Sequence, residues 1–589
     1  MLKIFKYLTQ KDWLLILVSV VFIVAQVFLD LRLPDYMADI TMLIQAEGTT
    51  MSDLVVPGSY MLLCAVGSMV AAVIVGYFAA RIAASLAKRL RGLVFEQTLS
   101  FSMAEMNRFS TSSLITRSTN DITQIQLIVA MGMQVIVKAP ILAVWAIIKI
   151  ANKNLEWTTA TGLAILVLCI MLAVIIIFAI PKFKIIQTLT DNLNRVTREN
   201  LTGIRVVRAY NAEHYQQQKF EQANLDLTKT NLFANRMMAL MGPGMTLIMS
   251  GLSVSIYWIG AYLINNTGQM DRLPLFANMV VFSSYAMQVV MAFMMVSMIF
   301  IMLPRAAVSA KRILEVLNMS VSITDGKVSE GHPGSIGEVE FRNVSFTYPD
   351  SDEPILQNIS FKARRGEVVA FIGATGSGKS SVMNLIPRFY DATEGEVLVD
   401  GVNVREYAQE ALHEKIGYVS QSAVIFRGTV ASNVAYGNAN QTEQGLQQVK
   451  EAIEIAQGKE FVENFDGQYE GEIAQGGKNV SGGQKQRISI ARAIYRKPDI
   501  YIFDDSFSAL DYKTDRALRS ELNKETANAT TLIVAQRIGT IKEADQIIVL
   551  EDGEIIGKGT HEQLMESCTT YQEIAYSQLS EEELDHVKK

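Results

Sequence analysis

The chain has 589 residues, half of them hydrophobic, and a formal net charge of −6. Its mean hydropathy is positive, and the apolar residues concentrate in long runs before residue 305. From about residue 337 onward the pattern is that of a soluble protein, so the composition predicts a membrane domain followed by a soluble domain. The acidic balance gives no support to a nucleic-acid partner.

Six stretches approach the length of about 20 mostly apolar residues that a membrane-spanning helix needs. They lie at roughly 12–32, 59–80, 127–150, 157–180, 238–264 and 274–303. We expect the first to be a retained span, because no small-residue cleavage site follows it. The third contains Lys138 and Pro140. We expect Lys138 to face protein or a water-filled cavity, because a charge in lipid is costly.

The distribution of basic residues predicts the orientation of these spans. No Lys or Arg occurs between Leu33 and Ala80, whereas the segments 81–126 and 181–236 are rich in both. The two basic segments are therefore predicted to lie inside. An even number of spans then places both chain termini in the cytoplasm.

The two inside segments are long and have a helical pattern. Because a helix rises 1.5 Å per residue, a leg of some 20 residues extends a span by about 30 Å. We therefore expect two helical arms, with their tips near Ser110–Ile115 and Tyr210–Gln217. They are predicted to carry motion between the soluble domain and the membrane; ordinary solvated loops are the alternative.

A phosphate-binding loop follows the short apolar strand predicted at 368–372. The segment from Gly373 to Ser380 has the spacing G-x-x-x-x-G-K-S. Its glycines allow backbone N–H groups to point at phosphate oxygens, and the helix that follows adds the positive end of its dipole. Lys379 is predicted to reach the terminal phosphates of ATP, and the Ser380 hydroxyl to reach Mg²⁺. The residues expected to bind ATP in this segment and directly after it are Gly373, Thr375, Gly376, Ser377, Gly378, Lys379, Ser380 and Ser381.

A second apolar strand begins at Ile500 and ends in two carboxylates, Asp504 and Asp505. Given the phosphate loop upstream, we expect Asp504 to hold Mg²⁺ directly or through water. A solvent-exposed strand end is the alternative.

The segment Val480–Gln484 stands about 100 residues after the phosphate loop and 20 before Asp504. It resembles the signature of ATP-binding cassette (ABC) proteins, and six spans followed by one cassette resemble the exporter branch of that family. The resemblance covers essentially the whole chain. It implies an α-helical transmembrane domain fused to an α/β P-loop cassette. The expected boundaries are 1–320 for the membrane domain, 321–336 for a linker, 337–577 for the cassette and 578–589 for a charged tail.

The resemblance also implies roles for individual residues. Tyr348 would stack on adenine, Gln421 would sense the γ-phosphate, and the loop from Ser508 to Asp511 would cross the interface between two cassettes. The implied Mg²⁺ ligands are Ser380, Gln421 and Asp504. The signature residues, which would contact ATP bound by a partner chain, are Ser481, Gly482, Gly483 and Gln484.

Two positions depart from the family pattern of an active ATPase. Asp505 stands where the family has the glutamate that polarises the attacking water, and Gln536 stands where it has a histidine. Glutamine can donate a hydrogen bond but cannot become cationic. We interpret these catalytic positions as degenerate, with the intact signature completing a competent site in a heterodimer. The partner would be a second, homologous half-transporter with the usual Glu and His. A catalytic Asp505 is the alternative.

The segments 111–117 and 205–210 resemble bacterial multidrug exporters that work as heterodimers, which implies the bacterial plasma membrane. The expected cofactors are ATP and Mg²⁺, and the expected substrates are drugs or other small amphiphiles within membrane lipid. Methionine suits surfaces that accept many apolar shapes. The candidate cavity residues of the sixth span are Met287, Met291, Met295 and Met298. Lipid-facing packing is the alternative for them, and a lipid flippase or an ATP-gated regulatory subunit is the alternative for the chain.

Overall fold

The computed structural model of the chain describes residues 2–45, 50–151, 154–268, 271–437 and 443–578. The chain divides into two compact units. The first, here called the membrane unit, contains the residues up to Thr98 together with Thr111–Met319. The second, called the cassette unit, contains Leu99–Ser110 together with the residues from Ser320 onward. The predicted charged tail beyond Gln578 lies outside the described residues.

The membrane unit is helical. A short 3-10 helix at Leu2–Tyr7 comes first. The α-helices that follow in chain order are α1 (Gln10–Gln45), α2 (Met51–Leu99), α3 (Met103–Arg108), α4 (Thr111–Thr116), α5 (Ile122–Gly132), α6 (Ala139–Ala151), α7 (Leu155–Thr202), α8 (Ile204–Ala209), α9 (Glu213–Ala239), α10 (Met241–Asn266) and α11 (Arg272–Leu317). Of these, α3 belongs to the cassette unit. Among the described residues, six helical runs are long and apolar enough to cross a membrane, which confirms the predicted number.

The third span departs from regular α-helix twice. π-Helical turns at Arg117–Asp121 and Met133–Lys138 separate α4, α5 and α6. Such turns insert an extra residue into the helix and re-aim its side chains. Lys138 ends the second turn, and its Nζ lies 3.1 Å from Oδ2 of Asp30 on α1. Lys138 therefore faces protein, as its position within an apolar span predicts.

The tip of the first arm differs from the prediction. The chain turns between α2 and α4, over Ser100–Ser110, rather than at Ser110–Ile115. Ser102 and Glu105 form a capping box that starts the short helix α3 inside this turn. The second arm turns between α8 and α9, from Tyr210 to Ala212, at the start of the predicted range.

Spans four, five and six pack closely where a glycine allows it. A Cβ added to Gly260 on α10 would lie 2.2 Å from Sδ of Met279 and 3.4 Å from the Trp157 ring. Trp157 and Met279 are both buried, and Trp157 also packs against Phe282 with ring centroids 5.3 Å apart. Met279, one of the methionines of the sixth span, therefore fills the space between helices in the core of the unit.

The cassette unit contains two main β-sheets. Its strands are β1 (Val339–Phe346), β2 (Leu356–Ala363), β3 (Val368–Ile372), β4 (Glu394–Val399), β5 (Val402–Asn403), β6 (Ile416–Val419), β7 (Gly428–Thr429), β8 (Glu472–Ile473), β9 (Ile500–Asp504), β10 (Thr530–Val534), β11 (Gln546–Glu551) and β12 (Glu554–Gly559). The antiparallel sheet has the order β2-β1-β4-β5, the larger sheet has the order β12-β11-β3-β10-β9-β6, and β7 pairs with β8.

Helices cover the larger sheet, whose strands are parallel except for the β11–β12 pair. They are α12 (Lys379–Leu385), α13 (Gln409–Glu414), α14 (Val430–Val434), α15 (Glu443–Ile455), α16 (Lys459–Glu463), α17 (Gly482–Arg496), α18 (Tyr512–Glu525), α19 (Ile538–Ile541), α20 (His561–Ser567) and α21 (Thr569–Gln578). Strands β9 and β10 are buried at every position, as expected for a parallel sheet covered on both faces.

We predict that Gly260→Ala lowers the free energy of unfolding of the membrane unit by about 1–3 kcal/mol, because the new methyl group overpacks the contact with Met279. Thermal unfolding of the purified chain in detergent would measure this. Gly251→Ala in the same helix is the matched control, since nothing lies within 4 Å of a Cβ added there. Equal unfolding temperatures for the two variants would contradict the prediction.

Candidate nucleotide-binding site

The predicted site residues meet because four parallel strands end at one edge of the larger sheet. The phosphate loop follows β3, Asp504 ends β9, Gln536 follows β10 and Gln421 follows β6. Strand β9 lies between β10 and β6, with Val534 beside Asp504 and Val419 beside Phe503. Ligands of open α/β sheets bind at such carboxyl edges.

The glycines of the phosphate loop have conformations that other residues rarely adopt. Gly376 and Gly378 have φ values of 90° and 96°. A Cβ on Gly373 would lie 2.0 Å from the carbonyl oxygen of Leu550, and one on Gly378 would lie 2.6 Å from the Leu356 side chain. The space beside Gly376 is open, with nothing within 4 Å of an added Cβ. The loop is therefore tightly held on its inner side and accessible on the side where phosphates would bind.

Lys379 lies folded within this loop. Its Nζ donates hydrogen bonds to the carbonyl oxygens of Gly373 and Ala374, at 2.8 and 2.7 Å, and to the Ser377 hydroxyl at 3.2 Å. Burial lowers the pKa of the Lys379 ammonium, and Asp505 and Asp504 oppose this shift. A buried ammonium surrounded by backbone suits a phosphate anion, which fits the predicted role in binding ATP.

Ser380 and Asp504 form a pair of oxygen donors of the kind that Mg²⁺ prefers. The Ser380 hydroxyl donates to Oδ1 of Asp504 at 2.9 Å. Burial raises the pKa of the Asp504 carboxyl, and the hydrogen bond from Ser380 opposes that rise. A cation at this position would favour the carboxylate form. These two residues therefore fit the predicted magnesium site.

Asp505 is held by two glutamine side chains. Its Oδ2 accepts a hydrogen bond from Nε2 of Gln536 at 2.9 Å and another from Nε2 of Gln421 at 3.3 Å. Its backbone has a φ of 47° and its N–H donates to Val534 at 3.0 Å. Burial raises the pKa of the Asp505 carboxyl, and the bond from Gln421 opposes the shift. The structure thus brings Gln536 and Gln421, the residue predicted to sense the γ-phosphate, into direct contact with Asp505.

Tyr348 lies at the other end of the phosphate loop. Its hydroxyl and that of Ser381 are 2.9 Å apart, and its ring packs edge-on against Tyr390 with centroids 5.1 Å apart. The Tyr390 hydroxyl accepts a hydrogen bond from Asn107 at 3.0 Å, so the turn of the first arm is joined to this aromatic pair. Sequence reasoning missed Asn107 and Tyr390. The capping box at Ser102 and Glu105 is the signal that could have located the turn.

The signature residues stand at the exposed beginning of α17. Ser481 is its N-cap and forms a capping box with Gln484, with hydrogen bonds of 2.8 and 3.3 Å. Ser481 and Gly482 are exposed. The backbone N–H groups of such a helix start suit an anion presented from outside.

The predicted interface loop contacts both parts of the site. Ser508 donates a hydrogen bond to the carbonyl oxygen of Asp505 at 3.0 Å. A Cβ added to Gly483 would lie 3.3 Å from the carbonyl oxygen of Ala509, so this loop packs against the signature. Asp511 caps α18 by accepting from the Thr514 N–H, which lowers the pKa of its carboxyl.

Comparisons with known proteins identify the family to which the chain belongs. The family described as the ABC transporter transmembrane region matches residues 15–313, and the family described as ABC transporter matches residues 356–508. The chain belongs to the ABC transporter family. With its six candidate spans fused to a nucleotide-binding domain, it is an ABC exporter.

Related proteins align with most of this ABC exporter. An ABC transporter ATP-binding protein of Mycobacterium tuberculosis (strain H37Rv) is 42% identical over 524 residues, which are 88% of this chain and 86% of the relative. One from Bacillus subtilis (strain 168) is 35% identical over 89% of this chain and 90% of its own length. The ATP-dependent lipid A-core flippase of Syntrophus aciditrophicus (strain SB) is 30% identical over 87% and 83%.

The solved structure of a bacterial Atm1-family ABC exporter with ATP bound has the same fold. It superposes with a TM-score of 0.78 at 22% identity, covering 97% of this chain and 99% of that one. The family match, rather than this likeness of fold, indicates that the cassette binds ATP and that the chain is a multi-pass membrane protein of an ATP-driven exporter.

We predict that Lys379→Ala weakens ATP binding at least about tenfold, because a charge-assisted hydrogen bond to phosphate contributes about 1.5–3 kcal/mol. Titration of the purified chain with a fluorescent ATP analogue would measure the dissociation constant. Lys362→Ala is the control, since that lysine lies on β2, the edge strand of the antiparallel sheet, and forms a partly exposed ion pair with Glu338. Unchanged affinity in Lys379→Ala would contradict the prediction.

Proposed function

We propose that this chain is the degenerate-site subunit of a heterodimeric exporter of drugs or other amphiphilic compounds. The observation that carries the proposal is the contact of Asp505 with both Gln536 and Gln421. A general base must reach the water that attacks the γ-phosphate. Here one carboxylate oxygen already accepts two amide hydrogen bonds, and the side chain is one methylene shorter than glutamate.

The expected loss of rate follows from this geometry. Displacing a catalytic group by about 1 Å can reduce the rate on the order of 100-fold. Gln536 holds Asp505 and cannot supply a positive charge. ATP bound at this chain's phosphate loop would therefore be hydrolysed slowly and would act mainly as an allosteric ligand that favours the closed state.

The signature supports pairing with a different chain. Its residues are arranged at an exposed helix start, suited to ATP bound by a partner. A partner with the usual glutamate and histidine would then have a complete site. Two copies of this chain would instead have two poor sites, which disfavours a homodimer. Ser508 and Asp511 would lie at the interface of the two cassettes.

We infer the domain boundaries, the orientation in the membrane and the magnesium ligands in the same way. The membrane domain would extend over 1–320, the linker over 321–336, the cassette over 337–577 and the tail over 578–589. The excess of basic residues in 81–126 and 181–236 supports cytoplasmic termini in a bacterial plasma membrane. Mg²⁺ would be held by Ser380, Asp504 and Gln421.

The methionines of the sixth span support an apolar substrate surface. Met287, Met291 and Met295 recur at helical spacing, so they share one face of α11. Met291 is 42% exposed, whereas Tyr285 and Val289 on the opposite face are fully buried. We name Met287, Met291 and Met295 the methionine face. The side chain of Met298 lies outside the described residues.

A lipid or lipid-linked flippase is the second candidate function. The relative from Syntrophus aciditrophicus, named as a lipid A-core flippase, supports it. Both functions use the same ATP-driven cycle and differ in what the membrane unit binds. Stimulation of ATP hydrolysis by dyes as against lipids in reconstituted vesicles would discriminate between them.

We predict that Asp505→Ala lowers ATP turnover of the co-expressed heterodimer less than about threefold, whereas Glu→Gln at the partner's equivalent position lowers it at least about 100-fold. Measuring ATP turnover by the purified pair of chains in vesicles would give the effect of each change. The double change Asp505→Glu with Gln536→His should raise turnover when the partner's site is disabled. If Asp505→Ala abolishes turnover, both sites hydrolyse ATP and the asymmetric reading fails.

We also predict that replacing Met291 and Met295 with Ala changes the profile of transported substrates more than the basal ATP turnover, because the flexible thioethers contact substrate rather than nucleotide. The measurement is the transport rate of several dyes into vesicles, compared with the basal ATP turnover of the same samples. Met69→Ala is the control, since Met69 lies on a different helix, α2, and is 60% exposed. Unchanged transport of every substrate would exclude the cavity role.

A further inference from the structure

An exposed group of six cations lies at one end of the first two spans. The group, here called the basic patch, consists of Lys3 and Lys6 of the 3-10 helix, Lys11 at the start of α1, and Arg81, Lys88 and Arg89 of α2. All six side chains are exposed. Asp12 is the one acidic residue among residues 1–29, and residues 54–95 contain none. The composition of both segments therefore favours positive charge at this end of the spans.

A contact between α1 and α2 brings the two halves of the basic patch together. The Ser85 hydroxyl on α2 donates a hydrogen bond to Oδ2 of Asp12 on α1 at 3.4 Å. The three patch residues of α2 stand three or four positions from Ser85, so they lie on or beside the same face of the helix. Lys11 directly precedes Asp12. The cations of the two helices are therefore neighbours at one level of the membrane unit.

The carboxylate of Asp12 does not neutralise the patch. Asp12 is 4% exposed, and its Oδ2 accepts hydrogen bonds from the N–H and the hydroxyl of Thr9 at 2.9 and 2.8 Å. It is therefore engaged in capping the first turn of α1. The ion pairs within the described residues of the membrane unit involve none of the six cations. The patch thus keeps its positive charge.

The basic patch begins where the exposed apolar surface of the spans ends. On α1 that surface starts at Trp13, which is 54% exposed, and continues with Leu14 and Leu17. On α2 it reaches Tyr77, which is 60% exposed and stands four residues before Arg81. Trp and Tyr are typical of the boundary between hydrocarbon and headgroups. The cations therefore lie at the level of the lipid headgroups.

The segment before the first span is held in place. Residues three apart eclipse one another in a 3-10 helix, so Lys3 and Lys6 share one face. Ile4 and Leu8 are 1% and 7% exposed, so they attach this segment to the membrane unit. The lysines therefore have a fixed position rather than lying on a free tail. A preorganised surface loses less conformational entropy when it binds a ligand.

The charge and the depth of the patch together select its partner. Each Lys or Arg near an anionic membrane surface favours binding by about fivefold. A zwitterionic headgroup gains less, because its positive group is repelled by the same cations. A soluble anion has no tail to cover the apolar surface that begins at Trp13. An anionic lipid satisfies both parts of the surface.

We propose that the basic patch is a binding surface for the phosphate headgroups of anionic lipids, whose tails lie against Trp13 and the exposed apolar face of α1. Such a lipid is a partner that fixes the depth of the first two spans rather than a transported substrate. The inference therefore goes beyond the proposed export function. It is also independent of how ATP is hydrolysed.

The fluorescence of Trp13 tests this inference, because bromine on a lipid tail quenches a tryptophan that it contacts. The full-length chain is placed, without ATP, in phosphatidylcholine vesicles that contain a minor fraction of phosphatidylglycerol. Equal amounts of one lipid or the other carry bromine, and Trp13→Phe gives the contribution of Trp13 by difference. Brominated phosphatidylglycerol should quench Trp13 at least about threefold more than brominated phosphatidylcholine. Combining Lys3→Gln, Lys6→Gln and Lys11→Gln should bring this ratio to about one.

Three controls separate charge at the patch from folding and from net charge. Replacing the same three lysines with Arg should keep the preference, because the charge is kept. Raising the salt from about 0.1 M to about 1 M should reduce it in the unaltered chain, because screening shortens the reach of the cations. Combining Lys450→Gln, Lys513→Gln and Lys558→Gln removes three exposed charges from the cassette unit and should leave the ratio unchanged.

Equal quenching by the two lipids in the unaltered chain would overturn the proposal. So would a preference that survives the three Gln changes or high salt, or one that is lost in the Arg variant or in the cassette control. Relief of the quenching by glycerol phosphate would mean that the surface takes a soluble anion, which also contradicts the proposal. Because no ATP is present, these results are distinguishable from a failure of the proposed heterodimer.

Discussion

The position of β9 between β10 and β6 is the constraint on which the nucleotide site depends. Parallel pairing in register brings the carboxyl ends of three strands to one edge, so that Asp504, Gln536 and Gln421 become neighbours although they are far apart in sequence. The phosphate loop joins them because β3 pairs with the other side of β10. The chemistry of the site is thus set by backbone hydrogen bonds of the sheet.

The same register explains why the two departures from the family pattern are in contact. A side chain at 505 is flanked by residues that follow β10 and β6, so a glutamine at 536 can reach the shorter aspartate and hold it beside Gln421. With the family's histidine at position 536 and its longer glutamate at position 505, these two side chains would be arranged differently. The two departures from the family pattern are therefore one structural feature.

The sequence predicted much of this protein because several of its signals are local. Six apolar runs, the loop from Gly373 to Ser380 and the strand ending at Asp504 each have a short pattern with a direct physical meaning. Long-range contacts were harder to predict. The sequence predicts a polar environment for Lys138 but does not identify Asp30 as its partner. It also predicts the turn of the first arm further along the chain than the structure has it. The contact between Asn107 and Tyr390 had no periodic pattern to reveal it.

The turn of the first arm has a consequence for the order of synthesis. Ser102 and Ser322 are hydrogen-bonded in the cassette unit although they are 220 residues apart. At ~5–20 residues per second, the ribosome makes the remainder of that unit only after tens of seconds. The residues Leu99–Ser110 are thus translated with the first spans and acquire their neighbours last. During biogenesis this turn is therefore an early-made segment whose contacts are completed only when the late-made domain has folded.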